Sequence, residues 1–328
     1  MDKLKKFIDC YIDTKTCNLN CHYCYIGYSG KFQDKLMKLP HSPETIAKAL
    51  SKERLGGCCL INLCAGGETL LSNDVIPLVQ VLLAEGHYIS IVTNGTLSKR
   101  FDELAEFSEE NRERLFIKLS FHYLQLKDRK MLDVFWNNVS NLKRAKISFT
   151  IEITSNDELI PYIDEVKSMC VKEAGAFCHV TIARDERTKE IGILSDYSLE
   201  ENKKIWGSFN SELFDFKESI FYQKRNEYCH AGEWSLCINI VTGSVKQCYW
   251  EKEIDNIYED MNRPIKTEAV GTACKLPHCY NGHAFLALGN IVELETPSYA
   301  ELRNRIDVEG REWLQPKMKE FMSQKLGE

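Results

Sequence analysis

Residues 16–25 read Thr-Cys-Asn-Leu-Asn-Cys-His-Tyr-Cys-Tyr and follow a short apolar stretch that predicts a strand. Cys17, Cys21 and Cys24 have the spacing C-x3-C-x2-C. Cysteine thiolates are the usual ligands of iron–sulfur clusters, so three of them on one loop would leave one iron of a four-iron cluster free to bind another molecule. The stretch therefore predicts a [4Fe-4S] cluster with a chemical rather than a structural role.

Zinc and disulfide bonds are the alternative uses of these cysteines. A structural zinc site needs four ligands, which usually come as two short Cys or His pairs across a longer gap. His22 is the only nearby candidate for a fourth ligand, and its position next to Cys21 gives it an awkward geometry for binding the same metal ion. Both alternatives stay open on this stretch alone.

Composition predicts a cytoplasmic globular protein. The 328 residues are 44% hydrophobic, which suffices for one large domain and a smaller one. A net charge of −6 favours neither nucleic acid nor an anionic membrane, and the chain has no long apolar run and no signal-peptide core. In that compartment fourteen cysteines favour metal or redox use over disulfides. Cys58, Cys59 and Cys170 lie in apolar runs and are predicted to be buried.

Six predicted strands alternate with predicted helices. The strands are residues 7–13, 58–64, 88–93, 115–122, 147–154 and 177–183. The helices are residues 43–54, 74–85, 99–110, 129–144, 157–173 and 198–211. This repetition is typical of an α/β fold with a parallel sheet.

The pattern within the strands predicts a barrel that holds a ligand. In residues 147–154 the apolar side chains take one parity and the polar ones the other, and residues 7–13 and 115–122 alternate in the same way. One face would pack helices while the other lines a polar cavity. Because a closed eight-stranded barrel fills its interior with packed side chains, six such strands favour an open, partial (β/α)6 barrel.

Two turns follow predicted strands at the edge where ligands collect in parallel sheets. Residues 63–70 read Leu-Cys-Ala-Gly-Gly-Glu-Thr-Leu, and the paired Gly66 and Gly67 permit a close approach of the backbone to a ligand. A plain β-to-α turn is the alternative for these glycines. Residues 93–95, Thr-Asn-Gly, end the third strand with generic turn chemistry.

Together these motifs resemble the radical S-adenosylmethionine (radical SAM) family, whose signature places an aromatic residue, here Tyr23, before the third cysteine. The resemblance implies that SAM chelates the open iron and that one electron cleaves SAM to a 5′-deoxyadenosyl radical. It also implies a six-stranded partial barrel. Residues 66–68 resemble the segment that receives the SAM amino group, with Thr69 in place of the usual proline. The cofactor-binding residues implied are Tyr23, Gly66, Gly67, Glu68, Thr93 and Asn94.

Further polar residues lie near the carboxyl ends of the later strands. Ser120, His122 and Glu152 take the polar parity, and we place Ser120 near SAM and the other two near the reacting substrate. A satisfied buried polar network is the alternative. Arg184 and Asp185 follow the sixth strand as a substrate-binding pair or a surface ion pair.

Beyond about residue 213 the β/α rhythm gives way to a predicted hairpin, residues 234–241 and 245–248, and a cysteine loop. Four thiolates from a hairpin and a loop can hold a complete cluster, and a structural zinc site is the alternative. The pattern resembles the SPASM/Twitch extension of radical SAM enzymes in its single-cluster Twitch form. The ligands implied for this auxiliary [4Fe-4S] cluster are Cys229, Cys248, Cys274 and Cys279. Cys237 lies in the apolar strand and is predicted to be a packing residue.

We therefore predict two domains. Residues 1–213 would form the radical SAM barrel, and residues 214–328 the auxiliary-cluster domain. Residues 299–308 and 312–326 are predicted to be helices that cover the domain or the barrel.

The family resemblance implies an enzyme that abstracts a hydrogen atom from an unactivated carbon, with an external electron donor such as flavodoxin or ferredoxin. The auxiliary cluster would accept an electron from the substrate radical or ligate substrate. A first strand at about residue 7 leaves no room for the leader-binding domain of many peptide-modifying members, so we expect a small polar or carbohydrate-like substrate. A maturase of a ribosomally made peptide and a non-catalytic iron–sulfur or zinc scaffold are the alternatives.

The expected reaction is an oxidation or an epimerisation. An epimerase needs a group that returns a hydrogen atom to the substrate radical, and a cysteine thiol serves this purpose. Cys64 ends its strand at the mouth of the barrel, whereas Cys178 starts its strand and should lie at the far end. Cys64 is therefore the predicted hydrogen donor.

Overall fold

The parallel sheet is present in the structure, a computed structural model that describes residues 2–28, 30, 32–33, 35–36, 38–249 and 252–327. Its first six strands are β1 (Lys6–Ile12), β2 (Cys59–Ala65), β3 (Tyr88–Thr93), β4 (Leu115–Ser120), β5 (Ser148–Ser155) and β6 (His179–Ile182). They lie side by side in chain order and every neighbouring pair is parallel. The predicted α/β fold with an open, partial barrel is thus confirmed.

Helices cover the outer face of these strands. The α-helices of the described residues are α1 (Tyr25–Tyr28), α2 (Pro43–Ala49), α3 (Lys52–Leu55), α4 (Val75–Ala84), α5 (Ser98–Ala105), α6 (Glu109–Glu113), α7 (Tyr123–Asp128), α8 (Leu132–Arg144), α9 (Ile163–Ala174), α10 (Leu199–Trp206), α11 (Glu212–Ile220), α12 (Gly282–Phe285) and α13 (Pro316–Met322). Short 3-10 helices occupy Thr69–Leu71, Asp157–Tyr162 and Gly207–Phe209. No helix in this part of the chain has the length and apolar character needed to cross a membrane.

The predicted hairpin is also present, and it extends the barrel sheet. The remaining strands are β7 (Arg184–Asp185), β8 (Gly192–Ile193), β9 (Ser235–Asn239), β10 (Ser244–Lys246) and β11 (Glu253–Asn256). β9 pairs in parallel with β1, and β10 and β11 follow it as antiparallel neighbours. The division at residues 213 and 214 stays a prediction, and its outer limits, residues 1 and 328, lie outside the described residues.

The amino-terminal end of the barrel is closed by the last part of the chain. The first inward-facing side chains of β1, β3 and β4 are Phe7, Tyr88 and Phe116, which are buried in one cluster with Phe321. The rings of Tyr88 and Phe321 stack with their centroids 3.6 Å apart. This apolar floor leaves the polar residues further along each strand to face a cavity at the carboxyl end.

The two predicted carboxyl-terminal helices needed correction. Residues 299–308 form turns, because the Asp307 carboxylate accepts hydrogen bonds from the backbone N–H groups of Glu309 and Arg311 and competes with helical pairing. Within 312–326 the helix is only Pro316–Met322. Proline lacks an N–H and holds the preceding residue in an extended conformation, so it starts the helix.

Candidate active site

A cavity of about 1070 Å³ lies at the carboxyl ends of the strands. Single-ligand pockets usually have roughly 300–1,000 Å³, so the space suits a cofactor together with part of a substrate. The predicted residues that line it are Cys17, Cys21, Tyr23, Cys24, Cys64, Gly66, Gly67, Glu68, Thr93, Asn94, Ser120, His122 and Glu152. The structure therefore brings the whole predicted barrel site to one cavity.

The three-cysteine loop presents its thiols to this cavity. A turn closes the loop, in which Cys24 N–H donates to the Cys21 carbonyl at 3.0 Å. Burial, followed by the neighbouring thiols of Cys24 and Cys17, raises the pKa of Cys21 to about 12. A bound metal centre deprotonates such thiols because its positive charge stabilises the thiolate. The donor set therefore fits an iron–sulfur cluster.

His22 does not join this set. Its Nε2 lies 2.8 Å from Glu158 Oε2, and its side chain is absent from the cavity wall. Within the described part of the chain, no group of three or more Cys, His, Asp or Glu side chains is arranged to hold a single metal ion. A [4Fe-4S] cluster does not need so compact a group, because each thiolate binds a different iron.

The glycine turn packs directly against the cysteine loop. Glu68 N–H donates to the Thr16 carbonyl at 2.9 Å. A Cβ atom on Gly67 would lie 1.9 Å from that same oxygen, so no side chain fits at this position. Glycine is required here because the two backbones lie so close together, and this holds whether or not a ligand also approaches the turn.

Glu68 joins the glycine turn to the loop after β3. Its buried carboxylate accepts hydrogen bonds from Thr93 Oγ1 at 2.6 Å, Asn94 N at 2.7 Å and Leu70 N at 3.0 Å. Asn94 Nδ2 in turn donates to Asn18 Oδ1 at 2.8 Å. The carboxylate thus fixes the glycine turn to the loop after β3, and the Asn94 side chain joins that loop to the cysteine loop.

Tyr23 and His122 face each other across the cavity rim, with Tyr23 Oη 2.6 Å from His122 Nδ1. Burial lowers the pKa of His122 to about 4 and raises the pKa of Tyr23 well above its usual value. At neutral pH the tyrosine is therefore protonated and the imidazole neutral, and the tautomer of His122 sets which of the two groups donates. The pair fixes the aromatic residue of the cysteine motif in place.

Other predicted residues have partners that the sequence did not indicate. Glu152 forms an ion pair with the fully buried Arg303, which comes from the carboxyl-terminal turns. Arg184 reaches the cavity wall, whereas Asp185 pairs with Arg187 at 2.7 Å and is not part of that wall. Of this pair the arginine alone lies on the cavity wall, and its contact with a substrate stays a prediction.

The cavity residues that the sequence analysis missed include Cys237 and Lys217. Cys237 was expected to be a packing residue, but β9 joins the sheet beside β1 and turns its side chain to the cavity. Lys217 lies on α11 in a stretch that the sequence analysis left without a role. Its spacing from Leu213 and Ile220, which are both buried, places it on the inner face of that helix and was the signal that could have identified it. Cys58, Cys59 and Cys170 are buried as predicted.

A second, smaller cavity contains the other four predicted ligands, Cys229, Cys248, Cys274 and Cys279. Burial raises the pKa of Cys248, and the neighbouring thiols of Cys237 and Cys279 raise it as well. Cys248 lines both cavities, so this thiol set directly adjoins the large one. Four thiols around one space form a suitable donor set for a complete cluster.

Comparison with known proteins agrees with this arrangement. Residues 11–154 match the model of the radical SAM superfamily. Over 280 residues the chain is 25% identical to the sporulation killing factor maturation protein SkfB of Bacillus subtilis strain 168, a match that covers 82% of the chain and 60% of SkfB. Over 87 residues it is 39% identical to the 7-carboxy-7-deazaguanine synthase of Rhodospirillum rubrum, covering 26% of the chain and 34% of that enzyme. The chain thus spans less than two thirds of either relative.

Solved structures show the same fold. Streptococcus suis SuiB bound to S-adenosylmethionine has a TM-score of 0.56 at 14% identity, over 78% of this chain and 64% of SuiB. The structure of anSMEcpe with bound AdoMet and the Cp18Cys peptide has a TM-score of 0.52 at 16% identity, over 78% of this chain and 79% of anSMEcpe. Both of these structures hold S-adenosylmethionine. By the family-model match, residues 11–154 form a radical SAM domain, and the cofactors of that superfamily are a [4Fe-4S] cluster and S-adenosylmethionine.

Proposed function

We propose that Cys17, Cys21 and Cys24 hold the catalytic cluster and that the enzyme abstracts a hydrogen atom from a substrate carbon in the large cavity. The observation that carries this proposal is the shared wall of that cavity, which joins the three-cysteine loop to the inward polar residues of the strands. When bound, the cluster and SAM supply the 5′-deoxyadenosyl radical. The protein itself positions the cofactor and the substrate and encloses them in the cavity.

Positioning depends on the contacts between loops. Glu68 and Asn94 fix the glycine turn and the loop after β3 against Asn18 of the cysteine loop. Tyr23 is held by His122. We assign Gly66, Gly67 and the loop after β3 to SAM, since they surround the cavity next to the cluster thiols.

We assign an auxiliary [4Fe-4S] cluster to Cys229, Cys248, Cys274 and Cys279. Because Cys248 lies on the wall of both cavities, a cluster there would sit next to the substrate. This placement suits a group that accepts the electron left on a substrate radical after hydrogen abstraction. A flavodoxin or ferredoxin would supply the electron for SAM cleavage.

A peptide is the substrate class that the relatives support best. SkfB is named as a maturation protein, and the SuiB fold is also known bound to the precursor peptide SuiA, with a TM-score of 0.55 to this chain. A small polar or carbohydrate-like molecule, oxidised or epimerised, is the second candidate, and the polar wall that contains Lys118, Thr181 and Lys217 favours it.

Cys64 would serve an epimerisation. Its thiol lines the large cavity, and burial, followed by Asp9, raises its pKa to about 12. The thiol therefore keeps its proton at neutral pH, which hydrogen-atom return requires. Cys178 is buried and absent from the cavity wall, in keeping with its predicted place at the far end of its strand.

Formation of 5′-deoxyadenosine tests the proposal. The anaerobically reconstituted protein is incubated with SAM and a strong reductant, beside a variant in which Cys17, Cys21 and Cys24 are alanine. We expect product from the wild type and none from the variant, because cleavage without substrate is common among such enzymes. No product from a wild-type protein with a reducible cluster would contradict the proposed activity and favour an electron carrier or scaffold.

A further inference from the structure

Three cationic side chains lie on one side of the large cavity. Lys118 on β4, Arg184 on β7 and Lys217 on α11 all line it. The Lys217 side chain is buried, and its Nζ donates to Thr181 Oγ1 at 2.6 Å. Lys118 Nζ donates to Asn62 Oδ1 at 3.4 Å. Both ammonium groups thus bond to neutral oxygens inside the cavity.

The nearby carboxylates make contacts of their own, and Asp9 reaches Lys118 only through Asn62, which donates its Nδ2 to Asp9 and accepts Lys118 Nζ at its Oδ1. Glu152 pairs with Arg303, and Glu186 pairs with Arg184 at 2.8 Å. Among the residues that the structure describes, no carboxylate oxygen lies within 4.0 Å of the ammonium nitrogen of Lys118 or Lys217. Lys217 and Lys118 are therefore not in direct ion pairs, and Lys118 faces the Asp9 carboxylate across Asn62.

A neighbouring histidine, His283, is affected by the same positive charges. His283 lines the cavity, and its Nδ1 is buried without a hydrogen-bond partner in the described residues. Burial lowers the pKa of His283, and the nearby charges of Lys217 and Arg303 lower it further. Buried charges are costly unless an opposite charge compensates them, so a negatively charged ligand would stabilise this region.

Lys118 lies deeper in the barrel than the predicted SAM site. It stands two residues before Ser120 on β4, which places it roughly 6–7 Å deeper in the barrel. Lys217 is held at Thr181 of β6, and Arg184 follows that strand at the carboxyl edge. A substrate anion bound by these side chains would lie inside the cavity, on the side formed by β4 and β6.

We propose that Lys118, Arg184 and Lys217 form an oxyanion subsite that holds a carboxylate or phosphate of the substrate. This inference rests on the proposed function, since the anion is a group on the molecule that reacts. Two ammonium groups and a guanidinium can donate several charge-assisted hydrogen bonds to one oxyanion. In a peptide the group would be an acidic side chain, and in a small substrate an acid function.

Isothermal titration of the reconstituted holoenzyme in the presence of SAM tests the subsite. The probes are glutarate, inorganic phosphate and the peptide acetyl-Ala-Glu-Ala-amide, with acetyl-Ala-Gln-Ala-amide as the uncharged control. We expect saturable binding of at least one acidic probe at one site, and no binding of the uncharged peptide. Binding of the glutamate peptide alone would indicate a peptide source, and binding of glutarate or phosphate a small acid.

Variants that lack the charge test whether Lys118 and Lys217 bind the anion. Lys217→Met and Lys118→Met keep an unbranched side chain one atom shorter than lysine and remove its charge, and each should weaken binding about tenfold or more. Lys99→Met is the matched control, because that side chain is 85% exposed on α5. Circular dichroism would show that the variants fold, and iron content would show that they assemble their clusters.

Two results would overturn the subsite: no saturable binding of any acidic probe up to about 10 mM, or equal affinity in the wild type and Lys217→Met. The second result would identify an adventitious ion only. The same preparations are assayed for 5′-deoxyadenosine. SAM cleavage without anion binding would contradict the subsite and leave the proposed function standing. Anion binding without SAM cleavage would contradict the proposed function and leave an anion site on these residues.

Discussion

The backbone N–H of Asn94 donates to Glu68 Oε2 at 2.7 Å, and this bond fixes the loop after β3 to the turn after β2. Glu68 is the natural candidate for a ligand of SAM from the motif alone. In the structure its carboxylate accepts three hydrogen bonds within the protein. Its role is therefore to position the backbone of both loops around the cavity.

Replacing Glu68 by alanine should destabilise the protein and weaken SAM binding. The change leaves the Thr93 hydroxyl and two backbone N–H groups without an acceptor, and each buried unsatisfied group costs about 1–3 kcal/mol. Thermal unfolding and titration with SAM measure the two effects. Glu103→Ala is the control, since this carboxylate forms a partly exposed pair with Arg100 on α5. Equal SAM affinity in Glu68→Ala and the wild type would contradict the positioning role.

Gly67→Ala should prevent normal assembly of the cluster. The new Cβ would lie 1.9 Å from the Thr16 carbonyl and push the cysteine loop away. Overpacking of this kind costs about 1–3 kcal/mol. Iron content and visible absorbance after reconstitution check the result. Gly207→Ala is the matched control because nothing lies within 4 Å of its Cβ position. A full cluster and unchanged SAM cleavage in Gly67→Ala would show that the loops do not need this contact.

The double variant Cys274→Ala/Cys279→Ala should lose one cluster and keep the other. Iron would fall from about eight to about four per chain. Formation of 5′-deoxyadenosine without substrate should persist, because the three-cysteine loop is unchanged. Cys170→Ala, in the apolar core, serves as the control that keeps both clusters. Unchanged iron in the double variant would contradict the auxiliary site, and zinc in place of the lost iron would identify the structural alternative.

Anion binding should weaken as pH rises. Burial lowers the pKa of Lys217 to about 7, and the neighbouring charge of Arg184 contributes. Only the ammonium form attracts an anion, so affinity is highest below pH 7 and falls, by up to about tenfold per unit, above the midpoint. Arg303 and Lys118 also lower this pKa, whereas Glu152 raises it, as a bound anion would.

Glutarate titrations between pH 6 and pH 9 measure this dependence, because glutarate stays ionised throughout that range. Lys217→Met should show a nearly flat profile, since the titrating group has been removed. A flat profile in the wild type would exclude Lys217 as the group that controls binding.

The barrel could be predicted well from the sequence because the signals that identify its strands and turns are local. Alternation of apolar and polar residues in β1, β4 and β5 identified both the strands and the face that lines the cavity. Turn motifs and cysteine spacing then placed the site at the carboxyl edge. All of these signals lie within short windows of sequence.

Features that depend on distant pairing were not predictable in this way. Nothing in the local pattern indicates that β9 joins β1, and this pairing turns Cys237 to the cavity. The ion pair between Glu152 and Arg303 joins residues 151 positions apart. Pro316, by contrast, was a local signal for the start of the last helix and was overlooked.

The central claim is that the three-cysteine loop holds a cluster with an iron open to SAM. Electron paramagnetic resonance of the reduced Cys274→Ala/Cys279→Ala variant tests it most directly, since only the barrel cluster remains. Spectra are recorded with and without SAM. We predict that SAM shifts the g values of the reduced cluster, because it binds the open iron. A spectrum that saturating SAM leaves unchanged, from protein with about four irons per chain, would contradict the account.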